Sequence, residues 1–241
     1  MQMLFGKKKE LWETDESLAL DSAISKVVNA FPGSGADDAE KMLKFIASAE
    51  SNYGNYNWDT ALSYGPYQMD PIRYYDVIQN KAWGQNNENR IDKANEFLRN
   101  EGYGEDFDLR DLAVYNPNTK GFDSVNRDLI HDPLVATTIA RLALMQDAGA
   151  IPTDDEKIAD YYFDFWGPRI NDPSQPGYDD KRDDAFENFY SYNPEYDVDS
   201  KVFDALQDST STPALDSIIN DNFIRESIEE PRDNTRVEPT E

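Results

Sequence analysis

Apolar residues recur along this chain at helical rather than strand spacing. Leu20, Ala23, Ile24, Val27, Val28 and Phe31 fall three or four apart until Pro32-Gly33-Ser34-Gly35 interrupts them, which predicts a first helix of about fifteen residues. A second helix is expected from Asp37-Asp38, where acids suit the positive end of the helix dipole. It carries Met42, Leu43, Phe45, Ile46 and Ala49, with Glu50 in its last turn. From Asn52 to Met69 the composition changes to Asn, Tyr, Gly and Ser, that of an irregular loop or small hairpin.

Beyond Pro71 the pattern weakens and then returns. Ile72 to Ile78 reads as a short helix, and Asn87 to Leu98 as a polar helix whose sparse apolar residues place it at the periphery. Residues 102–130 mix Gly, Asn and Pro with short apolar pieces and predict loops with brief helices; Tyr115-Asn116-Pro117 reads as a turn. Asp132-Pro133 opens the clearest later helix. Leu134, Val135, Thr138, Ile139, Leu142, Leu144 and Met145 give it a broad apolar surface, so it is expected at the centre of the core. Thr153 and Glu156 have capping-box spacing, predicting a helix that reaches Phe165 before Gly167-Pro168 stops it. One more helix is expected over Asp183 to Tyr192. From Tyr196 onward Ser, Thr and acids dominate, with a modest helical patch at Ala214 to Ile228 and an end of disordered character.

The candidate chemistry lies in two short strings. Phe45-Ile-Ala-Ser-Ala-Glu50-Ser51 places one carboxylate at an apolar helix end, and Ser63-Tyr64-Gly65-Pro66-Tyr67-Gln68 follows as a Gly-containing turn, with eighteen positions from Glu50 to Gln68. A Glu half-buried among Phe45, Ile46 and Ala49 holds its proton more tightly than usual, because lost hydration disfavours the charged form. Such a group can protonate the bridging oxygen of a glycosidic bond. Trp58, Tyr64 and Tyr67 bring aromatic faces to the same stretch. They fit stacking on sugar rings, and equally packing of the loop onto the helices.

These strings resemble the lysozyme-like lytic transglycosylases, the soluble family and its tailed-phage relatives, whose motifs read Glu-Ser and then Gly-x-x-Gln with a Ser shortly before the Gly. The resemblance covers residues 40–70 well and 130–170 loosely. It implies that Glu50 is the sole catalytic acid/base, that Gly65 lets the glycan approach the backbone, and that Gln68 holds the sugar near the scissile bond, with Ser63, Tyr67 and Trp58 in the same binding wall. A third family motif sets a Tyr-Asn, then a Gly, on a later helix with the phenol beside the Glu. Here Ala159-Asp160-Tyr161-Tyr162 and Gly167 stand in that order without the Asn, and either Tyr161 or Tyr162 supplies the phenol. The implied fold is mainly α: a lysozyme-like helical domain with a small loop or β-hairpin wall at its cleft and an acidic C-terminal tail.

Charge and composition narrow the partners. Among 241 residues, 48 acids against 23 bases give a net charge of -25, which excludes nucleic-acid binding through a phosphate-neutralising face and removes any pull toward anionic cell envelopes. An enzyme delivered to the wall does not need that pull. No cysteine is present, so disulfides, thiol nucleophiles and Cys-based zinc sites are ruled out; the lone His131, beside a helix start, reads as a surface or capping residue. The opening Met1 to Glu10 lacks the apolar run of a secretory signal, and no stretch is long and apolar enough for membrane insertion.

The expected organisation is an N-terminal arm over 1–14, a catalytic domain over 15–195 and an acidic tail over 196–241 whose Leu215, Ile218, Ile219, Phe223 and Ile224 offer a contact face to other virion proteins or fold back on their own domain. The resemblance implies cleavage of the MurNAc-GlcNAc β-1,4 bond of peptidoglycan strands, with no cofactor or metal, by a protein carried in a phage virion. Three rivals stay open. One is a hydrolytic lysozyme using Asp59 or Asp70 as second carboxylate; the others are a chitin-degrading enzyme and a structural virion protein that keeps the fold without turnover.

Overall fold

The computed structural model describes residues 14–33, 36–54, 63–146, 150–166, 178–193 and 196, and these are mainly helical with one small sheet. Helix α1 spans Asp15–Ala30 and starts where the Thr14 hydroxyl accepts from the Ser17 amide at 3.1 Å. Leu20, Ala23, Ile24 and Val27 form its buried stripe. Helix α2, Ala36–Ser51, follows and buries Met42, Leu43, Phe45 and Ile46 completely.

Pro71–Tyr74 forms α3, capped by Asp70, and runs on as a π-helical turn over Tyr75–Gln79. Helix α4 is Gln85–Leu98. Strands β1, Ala113–Asn116, and β2, Gly121–Val125, pair antiparallel from Ala113 opposite Val125 to Asn116 opposite Gly121, with a bulge between Val114 and Tyr115. Four helices complete the order: α5 (Arg127–His131), α6 (Pro133–Gln146), α7 (Asp155–Phe165) and α8 (Tyr178–Tyr192).

Helix α6 is central, as its sequence predicts. Every residue from Val135 to Leu144 is buried, the condition of a helix surrounded by others, and α1, α2, α4 and α5 pack around it. Asp132 caps it, its carboxylate accepting from the amides of Leu134 and Val135. Against its other neighbours α2 presents a face to α7 and α8. The compact unit carrying these elements is Met1–Pro194.

Three expectations need correction. Helix α4 is not peripheral: Ile91, Ala94 and Leu98 are fully buried, and the equally buried Asn87 and Asn95 spend their amides on Val77 O and Asp108. The hairpin occurs at residues 113–125, where loops and brief helices were expected. Among the described residues of the loop after α2, Tyr64 and Met69 form an isolated bridge. The two pieces nevertheless meet, because Phe122 of β2 lays its ring against Tyr64 and Tyr74 at centroid distances of 5.5 and 5.4 Å. Finally, α8 begins at Tyr178 rather than Asp183. Residues 1–13 of the N-terminal arm, Trp58, Asp59 and the C-terminal patch Ala214–Ile228 lie outside the described residues. Among the described residues no helix is long and apolar enough to cross a membrane.

Candidate active site

The end of α2 is built to present one residue. Ser51 donates its hydroxyl proton to Ala47 O at 3.0 Å and accepts from the Gly54 amide at 2.8 Å, tying the departing chain to the helix. Asn52, Tyr53 and Gly54 then take φ of 48°, 56° and 81°, so three successive left-handed residues reverse the backbone immediately after Glu50. Two of them are not glycine, and packing holds them: Tyr53 is fully buried, donates its hydroxyl to Asp21 and stacks on Tyr192 at 5.9 Å. Ser51 is therefore the lock on this turn, a role the Glu-Ser pair does not disclose in sequence.

Glu50 is half-buried as a residue, and lost hydration weighs on its carboxyl. The Phe45 ring, five residues earlier on α2, contacts Tyr162 at 5.6 Å and both Phe186 and Phe189 at 5.4 Å. Tyr162, on α7, donates its phenol hydrogen to Glu50 Oε1 at 2.7 Å. Two causes oppose each other in this carboxyl. Burial, the larger, favours the neutral acid, while the Tyr162 hydrogen bond favours the carboxylate, and the outcome is a pKa raised to about 7. Burial and the neighbouring carboxyl push the Tyr162 phenol well above its ordinary value, so it serves as donor and not as base.

The second motif folds as a closed turn. Tyr64 and Met69 exchange backbone hydrogen bonds of 3.1 and 2.8 Å, and between them Gly65 O accepts both the Gln68 amide at 3.0 Å and the Gln68 side chain at 2.9 Å. Gly65 has φ +72°, and a Cβ there would lie 2.6 Å from Ile130 O, so backbone conformation and space both demand glycine. Gln68 is also left-handed, at φ 45°, a strained state for a non-glycine residue. Ser63 stands half-buried at the entrance of the turn.

The structure separates the aromatic candidates. Tyr162, not Tyr161, holds Glu50; Tyr161 is buried with its ring 4.6 Å from Phe165. Tyr67, expected to offer a face to a sugar, is 1% exposed and pairs its hydroxyl with Thr137 Oγ1 at 3.1 Å. It fastens the turn to α6 and has no face to stack on a ligand. Trp58 lies outside the described residues.

One residue overlooked in sequence joins the pieces. Trp166, just past α7, continues the helix by bonding its amide to Tyr162 O at 2.8 Å and donates its indole N–H to Tyr67 O at 3.0 Å. The acid, its phenol and the Gly65–Gln68 turn thus belong to one hydrogen-bonded assembly. Of the alternative acids, Asp70 is exposed and engaged as the cap of α3. His131 is half-buried in the last turn of α5, and among the described residues no cluster of His, Asp and Glu is suited to hold a metal. No family model matches this chain, and no curated protein or solved structure is significantly similar to it.

Proposed function

We propose that the chain is a peptidoglycan-cleaving lytic transglycosylase with a lysozyme-like helical fold, carried in a phage virion, in which Glu50 is the single acid/base. The observation that carries this reading is the Glu50 carboxyl, raised to about 7 by burial and held by Tyr162 within the same assembly as the Gly65–Gln68 turn. A carboxyl near neutrality spends its time in both protonation states, which is what a group that first gives and then takes a proton needs. Among the described residues no cation pairs with this buried carboxyl, which works against stability, a cost that a purely structural protein has no reason to carry.

In this mechanism protonated Glu50 donates its proton to the glycosidic oxygen as the bond from the muramoyl C1 breaks. The resulting carboxylate takes the proton of the muramoyl C6 hydroxyl, whose oxygen closes onto C1 as a 1,6-anhydro ring. Glu50 ends protonated, water is not consumed, and the tyrosine keeps the carboxyl aimed throughout. Hydrolysis would ordinarily draw on a second carboxylate. The engagement of Asp70 in helix capping supports the single-acid route over one using that residue.

The test is digestion of purified peptidoglycan by the wild type and by Glu50→Gln, with the released muropeptides identified by mass. Anhydro ends that disappear in the variant are the expected result. Reducing ends would replace the lyase with a hydrolase, and absence of any product from the wild type would leave a non-catalytic virion component.

A further inference from the structure

We infer that Trp166 is a positioning residue: its indole N–H fixes the Gly65–Gln68 turn in register with the Glu50 carboxyl. This rests on the proposed function for its enzymatic consequence, though the geometry stands by itself. Tyr162 and Trp166 are four apart on one helical path, so they project from the same face of the end of α7 one turn from each other. The first grips the acid through a 2.7 Å bond and the second grips the turn through a 3.0 Å bond to Tyr67 O. The span from Glu50 to the turn is therefore set by a single turn of helix, the stiffest spacer the backbone offers.

The surroundings of the indole fit a clamp better than a surface ring. Its plane meets the Tyr67 ring edge-on at 6.3 Å, the Arg73 guanidinium lies 5.4 Å from its centroid, and its apolar part packs on the main core. Tyr67 is held from the opposite end by Thr137 of α6, so its carbonyl is a fixed acceptor. Next to that carbonyl sits Gln68, in a left-handed conformation that persists only if neighbours enforce it. The Trp166 bond is the contact from outside the turn that reaches its backbone one peptide away.

Trp166→Phe keeps the ring and deletes the donor. The expected result is a fall in kcat of about tenfold with KM within about twofold, because the substrate still binds but its scissile bond is held off the acid. The pH at which Glu50 titrates should be unchanged, since Tyr162 and Phe45 stay in place. In parallel, hydrogen exchange of the Gln68 and Met69 amides should speed up in Trp166→Phe while exchange along α6 and α7 holds. Unchanged exchange at the turn overturns the inference, as does an unchanged kcat in an active wild type. A wild type that releases no muropeptide overturns the proposed activity alone, and the exchange comparison still decides the role of Trp166.

Discussion

Tyr162 donates its phenol hydrogen to Glu50 across 2.7 Å, joining residues 112 positions apart in the chain. Packing explains how the pair forms. Helix α7 lies on α2 so that the Phe45 ring touches the Tyr162 ring, and that contact brings the hydroxyl to the carboxyl at the end of α2.

Tyr162→Phe removes the hydrogen bond that favours the Glu50 carboxylate and leaves the burial that opposes it. The carboxyl should then titrate above about 7, and the basic limb of the pH–activity profile should move up with it. We also expect a ten- to hundredfold loss of rate from the freed carboxyl. A carbon NMR titration assigned by its loss in Glu50→Gln reads the shift directly; movement to lower pH would contradict this account.

Stability should depend on pH through the same group. The folded chain holds the Glu50 proton up to about pH 7, whereas the unfolded chain releases it near 4.5. Between these values the unfolded state binds fewer protons, so the contribution of this acid is fully present below 4.5 and lost as pH rises to about 7. A shift of that size corresponds to at most about 3 kcal/mol, less what partial exposure screens away. Glu50→Gln, of the same shape and without a charge, should therefore gain stability over the wild type progressively across this window. Denaturant unfolding at pH 4.5, 6 and 8 measures it, and a constant difference would refute the burial argument.

The two left-handed positions of the second motif should respond in opposite ways. Gly65→Ala forces a Cβ to within 2.6 Å of Ile130 O at φ +72° and should cost at least about 2 kcal/mol, lowering the melting temperature by about 4–8 °C. Gln68→Gly relieves about 1 kcal/mol of backbone strain and gives up a side-chain hydrogen bond of similar worth, so stability should hold within about 1 kcal/mol. If the proposed function holds, cleavage by Gln68→Gly should nevertheless fall about a hundredfold, through loss of an amide assigned there to orienting the sugar. Equal loss of stability in both variants, by thermal melting, would show that the strain at Gln68 has no functional origin.

How much of this was legible in sequence depended on the kind of signal. Helices with a full apolar stripe, α1, α2 and α6, were readable because burial there is a matter of spacing. Helix α4 escaped because three small or branched residues and two buried asparagines make its contact face, and the partners of those asparagines, Val77 O for Asn87 and Asp108 and the Leu109 amide for Asn95, lie ten or more positions away in the chain. Strands β1 and β2 are short and flank a polar turn, and their alternation shows only once Phe122 finds Tyr64 and Tyr74. In the candidate site, the helix end at Glu50 and the turn ending at Gln68 were recognisable from their neighbours. The choice between Tyr161 and Tyr162 was not, since adjacent helical residues differ by a rotation that only the docking of α7 fixes. Trp166 was invisible for a related reason: an indole donor counts as functional only when the carbonyl it meets is known.

The Phe45 ring touches Tyr162 on one helix and Phe186 and Phe189 on another. That one ring ties α2 to both α7 and α8. Asn193 pins the end of that helix to Ser48 of α2 at 3.2 Å, so the seat of Phe45 is fixed in part by a residue 145 positions beyond Ser48. A change that loosens α8 would therefore be felt at the acid through Phe45 and Tyr162, the two rings that join that distant helix to the carboxyl.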